Sequence, residues 1–173
     1  DTFVFCANDD AIFHFNTIAQ KKAVDDLEVQ SFDKNRLQVE GKHNIIDALL
    51  AIKICSAVGI SEDFSLQSLK NYKSLPYRIE FVRSWHGISF YNDSKSTTVV
   101  SSGVALEFIS EKNVGGKIVW LVGGGDKGND YTKLLKFLPN IRKIICIGKN
   151  NEKIINTFGE EMCIEERILE IIV

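Results

Sequence analysis

Two apolar runs, each led by a lysine, dominate the second half of the chain, Lys117-Ile118-Val119-Trp120-Leu121-Val122 and Lys143-Ile144-Ile145-Cys146-Ile147. Runs of this length, closed by glycines, predict strands covered on both faces. Segments of helical pattern at residues 98–109, 132–138 and 151–158 alternate with them. Strands alternating with helices imply an α/β fold with a doubly wound, mostly parallel sheet. Upstream, residues 79–84 and 88–91 are spaced as a hairpin joined at Trp85-His86-Gly87.

The first half is less regular. Residues 3–7 read as a buried strand followed by a turn signal, Asn8-Asp9-Asp10. Residues 11–23 are ambiguous, with a short helix that turns Ile12, Phe15 and Ala19 inward as one reading. Short strands are expected at 29–32 and 36–39, joined by Asp33-Lys34-Asn35. A helix over 45–57 follows, with Asn44 as its N-cap and Gly59 as its left-handed stop. Ile45, Ala48, Leu49, Ile52 and Cys55 share one face, which Ile46, Leu50 and Ile54 widen, so this helix should be mostly buried. A second helix covers 66–72. Proline disfavours helical geometry in the residue before it, and Leu75-Pro76 is read as a boundary between domains at 1–75 and 76–173.

Composition narrows the function classes. The 173 residues are 45% hydrophobic and 25% charged, with a formal net charge of −2, as in ordinary globular proteins. No basic cluster interleaved with aromatics supports nucleic-acid binding. No apolar run approaches the roughly 20 residues of a membrane span, and the start lacks a signal-peptide shape. Cys6, Cys55, Cys146 and Cys163 are far apart and lie among apolar residues. They read as reduced core residues, which points to the cytoplasm. The histidines His14, His43 and His86 form no metal-binding spacing. Phe3-Val4-Phe5 at one end and Ile171-Ile172-Val173 at the other lack the polar character of native termini, and a fragment of a larger enzyme is expected.

Candidate chemistry concentrates at Asn92-Asp93-Ser94-Lys95-Ser96-Thr97-Thr98, where a strand ends and a helix should begin. Such junctions form the ligand crevice of open α/β sheets, and helix N-termini there attract anions. A polar turn with a hydroxyl cap is the alternative. Gly123-Gly124-Gly125-Asp126-Lys127-Gly128 contains a formal G-x-G-x-x-G. A dinucleotide fingerprint also needs an acid at the end of the next strand, where Ile147-Gly148-Lys149 stands instead. A P-loop needs Lys and a hydroxyl after the last glycine, where Asn129-Asp130 stand. A turn that uses glycine for positive φ accounts for the glycines but leaves Asp126-Lys127 unexplained. A lysine there is suited to hold a carboxylate or phosphate.

Four strings in order resemble the Mur ligase family. They are Gly41-Lys42-His43-Asn44 with Ala48, Leu75-Pro76-Tyr77-Arg78-Ile79-Glu80, Asn92-Asp93-Ser94-Lys95-Ser96-Thr97, and Gly124-Gly125-Asp126-Lys127-Gly128. The likeness covers about residues 36–137 well and the first 35 more loosely. The Asn-Asp-Ser-Lys string is similar to that of the D-glutamate-adding branch. The resemblance implies the tail of a P-loop-type central ATPase domain, over 1–75, and a Rossmann-like C-terminal domain, over 76–173.

It also implies an ATP-dependent amide ligase of peptidoglycan synthesis. Its substrates would be UDP-N-acetylmuramoyl-L-alanine and D-glutamate, it would use ATP and Mg²⁺, and it would act as a cytoplasmic monomer without nucleic acid or membrane. By the same resemblance Asn44 and Asp47 would meet the adenine, Arg78 the nucleotide phosphates and Asp93 the ribose. Lys95 would face the phosphates and the charge developing at the reaction centre, while Ser94, Thr97 and Lys127 would bind D-glutamate. Asp47 stands where many members have Asn, and Thr98 where Asn is often found. The family's P-loop and magnesium ligands are expected before residue 1 and its Ser-Phe closing segment after Val173, so the chain alone is expected not to ligate. Two rivals stay open: a sister or folylpolyglutamate-type ligase, and a non-catalytic nucleotide- or amino-acid-binding module.

Overall fold

In a computed structural model, which describes residues 2–6, 20–123, 128–148 and 151–166, the chain is α/β with mostly parallel pairing. It divides into two units, Asp1–Leu75 and Pro76–Val173.

In the first unit β1 (Thr2–Cys6) runs parallel to β2 (Gln20–Val24). Residues 20–23 are therefore strand rather than the end of a helix, and residues 11–19 of that expected helix lie outside the described residues. Val24, 1% exposed, anchors β2 in a small core with Val29 and Ile45.

The strand expected at 29–32 is instead the end of helix α1 (Asp26–Ser31). The Asp25 side chain accepts the Glu28 N–H at 2.9 Å, and the Glu28 carboxylate accepts the Asp25 N–H at 3.2 Å. This reciprocal box satisfies two free donors of the first turn, and it outweighs the short alternation downstream. A single 3₁₀ turn, Lys34–Arg36, follows, and no strand forms at 36–39.

Helix α2 (Lys42–Ala57) starts three residues earlier than expected, from Gly41 at φ 102°. Asn44 therefore lies inside the first turn. Ile45, Ala48 and Ile52 are buried as expected, but Ile54 is exposed. Lys53 and Lys42 pair with Glu28 and Asp26 at 2.6 and 3.1 Å, tying α2 to α1. Helix α3 (Glu62–Leu69) also begins early, because the Ser61 hydroxyl caps the Phe64 N–H and two acids occupy the first turn.

The second unit opens with an antiparallel hairpin, β3 (Glu80–Trp85) and β4 (Ile88–Asn92), bulged between Phe81 and Arg83. His86 and Gly87 turn it with φ of 47° and 77°, the positive values a tight hairpin turn needs. Helix α4 (Val99–Lys112) follows, capped by a reciprocal Thr98–Ser101 box. Then come β5 (Ile118–Gly123), a 3₁₀ helix (Tyr131–Asn140), β6 (Ile141–Ile147), α5 (Glu152–Phe158) and β7 (Cys163–Glu166), with the three strands parallel in the order β5-β6-β7. Strand β7 had no counterpart in the sequence reading.

The helix after the glycine turn is 3₁₀ because its burial repeats every three residues. Leu134 and Phe137 are buried and Tyr131 partly so, while the pairs between them are exposed. At three residues per turn these side chains stack in one row. The row meets α4 where Gly103 lets Leu134 approach: a Cβ there would lie 3.2 Å from Leu134 Cδ2. Leu106, Leu134, Phe137, Ile144, Cys146, Ile154 and Phe158 form the core, joined by Ile118, Trp120 and Val122 of β5. Ile144 and Cys146 are fully buried; burying an isoleucine contributes roughly 1.5–3 kcal/mol.

Candidate functional site

At the open end of the hairpin the chain turns back on itself twice. Before β3, the segment from Pro76 to Ile79 forms a tight turn in which Tyr77 and Ile79 take φ of 67° and 47°. Left-handed geometry is costly for side chains with a Cβ, most of all for β-branched isoleucine. Each such residue costs on the order of 1–3 kcal/mol and persists only where its surroundings fix it. After β4, residues 93–96 turn towards the cap of α4.

Hydrogen bonds join these two turns. The Asp93 carboxylate accepts the Ile79 N–H at 3.0 Å through Oδ1. Its Oδ2 accepts the Ser96 hydroxyl in a short bond, and the Asp93 carbonyl accepts the Ser96 N–H at 2.9 Å. The Lys95 N–H donates to the Tyr77 carbonyl at 3.1 Å. Glu80 reaches back so that its Oε2 accepts the Tyr77 N–H at 2.8 Å. Across the hairpin from Glu80, Asn92 reaches forward to accept the Ser94 N–H at 3.1 Å.

Four of the predicted residues, Arg78, Asp93, Ser94 and Lys95, thus belong to one compact feature, and Thr97 follows it in the chain, before the cap of α4. Arg78 sits between the two left-handed residues and is exposed. Among the described residues no ion pair joins Arg78 to Glu80, whose carboxylate accepts the Tyr77 N–H. Ser94, Lys95 and Thr97 are exposed. Asp93 is half-buried, and each of its oxygens already accepts one bond. A carboxylate has about four acceptor positions, so capacity remains for a hydroxyl.

Asn44 and Asp47 lie in the first unit, three residues apart on α2, a spacing that puts them on neighbouring positions of one helix face. Asn44 is not the N-cap. Its side-chain amide donates to the Glu40 carbonyl at 2.6 Å, and Gly41 holds the cap position. Lys127 and the turn residues 124–126 lie outside the described residues. Among the described residues of the first unit, one cleft runs along Arg36, Asp63 and Lys70 and another along Phe32, Leu49 and Lys53; neither is lined by a predicted residue.

Sequence reasoning gave neither Glu80 nor Ser96 a functional part. The three-residue spacing from Tyr77 to Glu80, with proline before it, was the available signal.

The end of β5 is tightly built. Gly123 pairs with Ile147, and a Cβ on Gly123 would lie 2.0 Å from the Ile147 carbonyl oxygen. Cys146, in the core beneath this edge, has its thiol pushed up to about 12, first by burial and then by the neighbouring Cys163. Cys163 is also raised, chiefly by burial. Cys55, Cys146 and Cys163 are free thiols; the Cys6 side chain lies outside the described residues. The Asp130 carboxyl is lowered by its hydrogen bonds with Thr132, at the start of the 3₁₀ helix. Among the described residues no group of three or more His, Cys, Asp or Glu is placed to hold a metal ion, and no helix is long and apolar enough to cross a membrane.

No family model matches the chain. Individual relatives do. The chain is 40% identical over 123 residues to the UDP-N-acetylmuramoylalanine--D-glutamate ligase of Chloroherpeton thalassium, covering 70% of this chain and 25% of that protein. The enzyme of the same name from Cytophaga hutchinsonii is 34% identical over 141 residues, covering 81% and 30%. The chain thus spans between a quarter and a third of the relatives it matches. Among solved structures, MurF from Acinetobacter baumannii has a TM-score of 0.61 at 18% identity, covering 75% of this chain and 29% of that one. The folylpolyglutamate synthase of Thermotoga maritima has a TM-score of 0.56 at 20% identity, covering 82% and 35%. These structural likenesses speak for the fold.

Proposed function

We propose that this chain, a relative of the Mur ligases in sequence and in fold, is part of an ATP-dependent ligase that adds D-glutamate to UDP-N-acetylmuramoyl-L-alanine in the cytoplasm. The first unit corresponds to the C-terminal part of the central ATPase domain, and the second to the Rossmann-like C-terminal domain. The observation that supports this reading best is the joining of the Arg78 turn to the Asp93–Ser96 turn. It brings the backbone of residues 77–79 alongside that of Lys95, with the Asp93 carboxylate and the Ser96 hydroxyl between them, at one strand-to-helix junction, in a chain matched over most of its length by D-glutamate ligases.

The chemistry asks for fixed cations. A carboxylate is a poor electrophile, so the alanyl carboxylate oxygen first takes the γ-phosphoryl of ATP and ADP leaves. The amine of D-glutamate then attacks the acyl phosphate; phosphate departs with the bonding pair and the nitrogen loses a proton. Negative charge gathers around the phosphoryl group throughout, and fixed cations stabilise it. In this reading Arg78 binds the nucleotide phosphates and Lys95 faces them and the reacting carbonyl. Asp93 accepts from the ribose hydroxyls with its remaining lone pairs. Asn44 and Asp47 contact the adenine, while Ser94, Thr97 and Lys127 hold the glutamate carboxylates. Mg²⁺ would be bound by residues outside this chain and would neutralise phosphate charge.

Oxygen-18 in the alanyl carboxylate tests the route. In the full-length protein, one labelled oxygen should appear in the released phosphate. Label confined to the peptide product and unused substrate would refute an acyl phosphate.

A further inference from the structure

Tyr77 is fixed through both of its backbone groups. Its N–H donates to the Glu80 carboxylate at 2.8 Å, and its carbonyl accepts the Lys95 N–H at 3.1 Å. A hydrogen-bonded path therefore runs from Glu80 through Tyr77 to the backbone of Lys95. Arg78, the next residue, is flanked on both sides by left-handed backbone. Such backbone relaxes once its restraints are removed, and a relaxed turn would carry Arg78 and Lys95 apart. Asp93 restrains the far end through Ile79, and Glu80 restrains the near end.

We propose that Glu80 is a positioning residue: by holding the Tyr77 N–H it keeps the strained turn closed and sets Arg78 against Lys95 for the triphosphate. This rests on the ligase reading given above. Glu80 touches neither nucleotide nor amino acid in this account, and it acts only as an acceptor. An amide oxygen at the same place accepts the same N–H in a weaker bond, so the acceptor matters more than the charge.

The test compares Glu80→Ala, Glu80→Gln and the double variant Glu80→Ala/Ile79→Gly in the full-length protein. Steady-state kinetics are run with varied ATP, and amide exchange at Tyr77 is followed. Glu80→Ala should raise KM for ATP about tenfold, the loss of one hydrogen bond to a charged acceptor, with a smaller change in kcat. Glu80→Gln should stay within about threefold of the parent. Glycine tolerates the left-handed region, so Ile79→Gly should recover most of the affinity lost in Glu80→Ala.

Equal losses in the Ala and Gln variants would overturn the proposal, because they would mean that the charge itself contacts something. Failure of Ile79→Gly to restore affinity would overturn it too. If the parent protein does not ligate at all, the ligase reading fails, and Tyr77 exchange still decides the role of Glu80. Exchange should quicken in Glu80→Ala and not in Glu80→Gln; unchanged exchange in both refutes it. If Glu80→Ala does not fold, Glu80→Gln alone decides, by holding or losing the parent's KM and Tyr77 protection.

Discussion

The Asp93 carboxylate accepts the backbone N–H of Ile79 at 3.0 Å, across 14 residues of sequence and at the mouth of a hairpin. Through this bond two separate polar strings become one structural feature. The hairpin supplies the geometry, because its antiparallel register sets Glu80 opposite Asn92 and so brings residue 79 alongside residue 93.

Replacing Asp93 therefore has a cost in stability as well as in any binding role. Asp93→Ala should lower the stability of the Pro76–Val173 unit by about 1–2 kcal/mol, since it frees the Ile79 N–H and the Ser96 hydroxyl together. Asp93→Asn, which keeps an acceptor, should lose about half of that. Urea unfolding followed by Trp85 and Trp120 fluorescence measures both. Identical curves for all three proteins would show that the bond contributes nothing.

Gly123 tests the packing at the end of the parallel sheet. A methyl group there meets the Ile147 carbonyl oxygen at 2.0 Å, and backbone does not yield as a flexible side chain does. Gly123→Ala should cost about 2–3 kcal/mol and expose the amides around Gly123 and Ile147 to exchange. A variant as stable as the parent would mean that β5 and β6 do not approach this closely.

The buried thiols set a pH dependence. The Cys146 thiol is raised from 9.0 to about 12, mainly by burial, so the fold favours its protonated form. For a group whose folded pKa is raised, the stabilisation is whole below the unfolded value and is lost as pH climbs towards the folded one. Stability should fall between about pH 9 and 12, and less steeply in Cys146→Ala. At pH 8 iodoacetamide should label Cys146 only after unfolding, because the thiolate is the reactive form. Rapid labelling of Cys146 in the folded protein would contradict its burial.

The hairpin and the strands β5 and β6 were legible because contiguous apolar runs and a glycine-containing turn carry their own signals. The expected cover on both faces of β5 does not hold, however, since Val119 and Leu121 are exposed. Residues 29–32 were misread because their alternation is local, whereas the Asp25–Glu28 box that makes them helical lies upstream. Asn44 looked like a cap because it precedes an apolar face, yet Gly41 at φ 102° already turns the chain into the helix. The 3₁₀ helix was legible only as a helix. Its period of three, Tyr131-Leu134-Phe137, takes its meaning from packing against Gly103, a residue far away in sequence. At the candidate site, Arg78, Asp93 and Lys95 stood out by chemical type. Glu80 and Ser96 did not, because their partners are backbone groups and a neighbouring side chain that only the folded turn brings near.

The most direct measurement is phosphate release from ATP by the full-length protein with UDP-N-acetylmuramoyl-L-alanine, compared across D-glutamate, L-glutamate, L-lysine and meso-diaminopimelate. Release that depends on D-glutamate, and that falls on replacing Lys95 with alanine, is the predicted result. Release driven equally by another amino acid, or unaffected by loss of Lys95, would contradict the account.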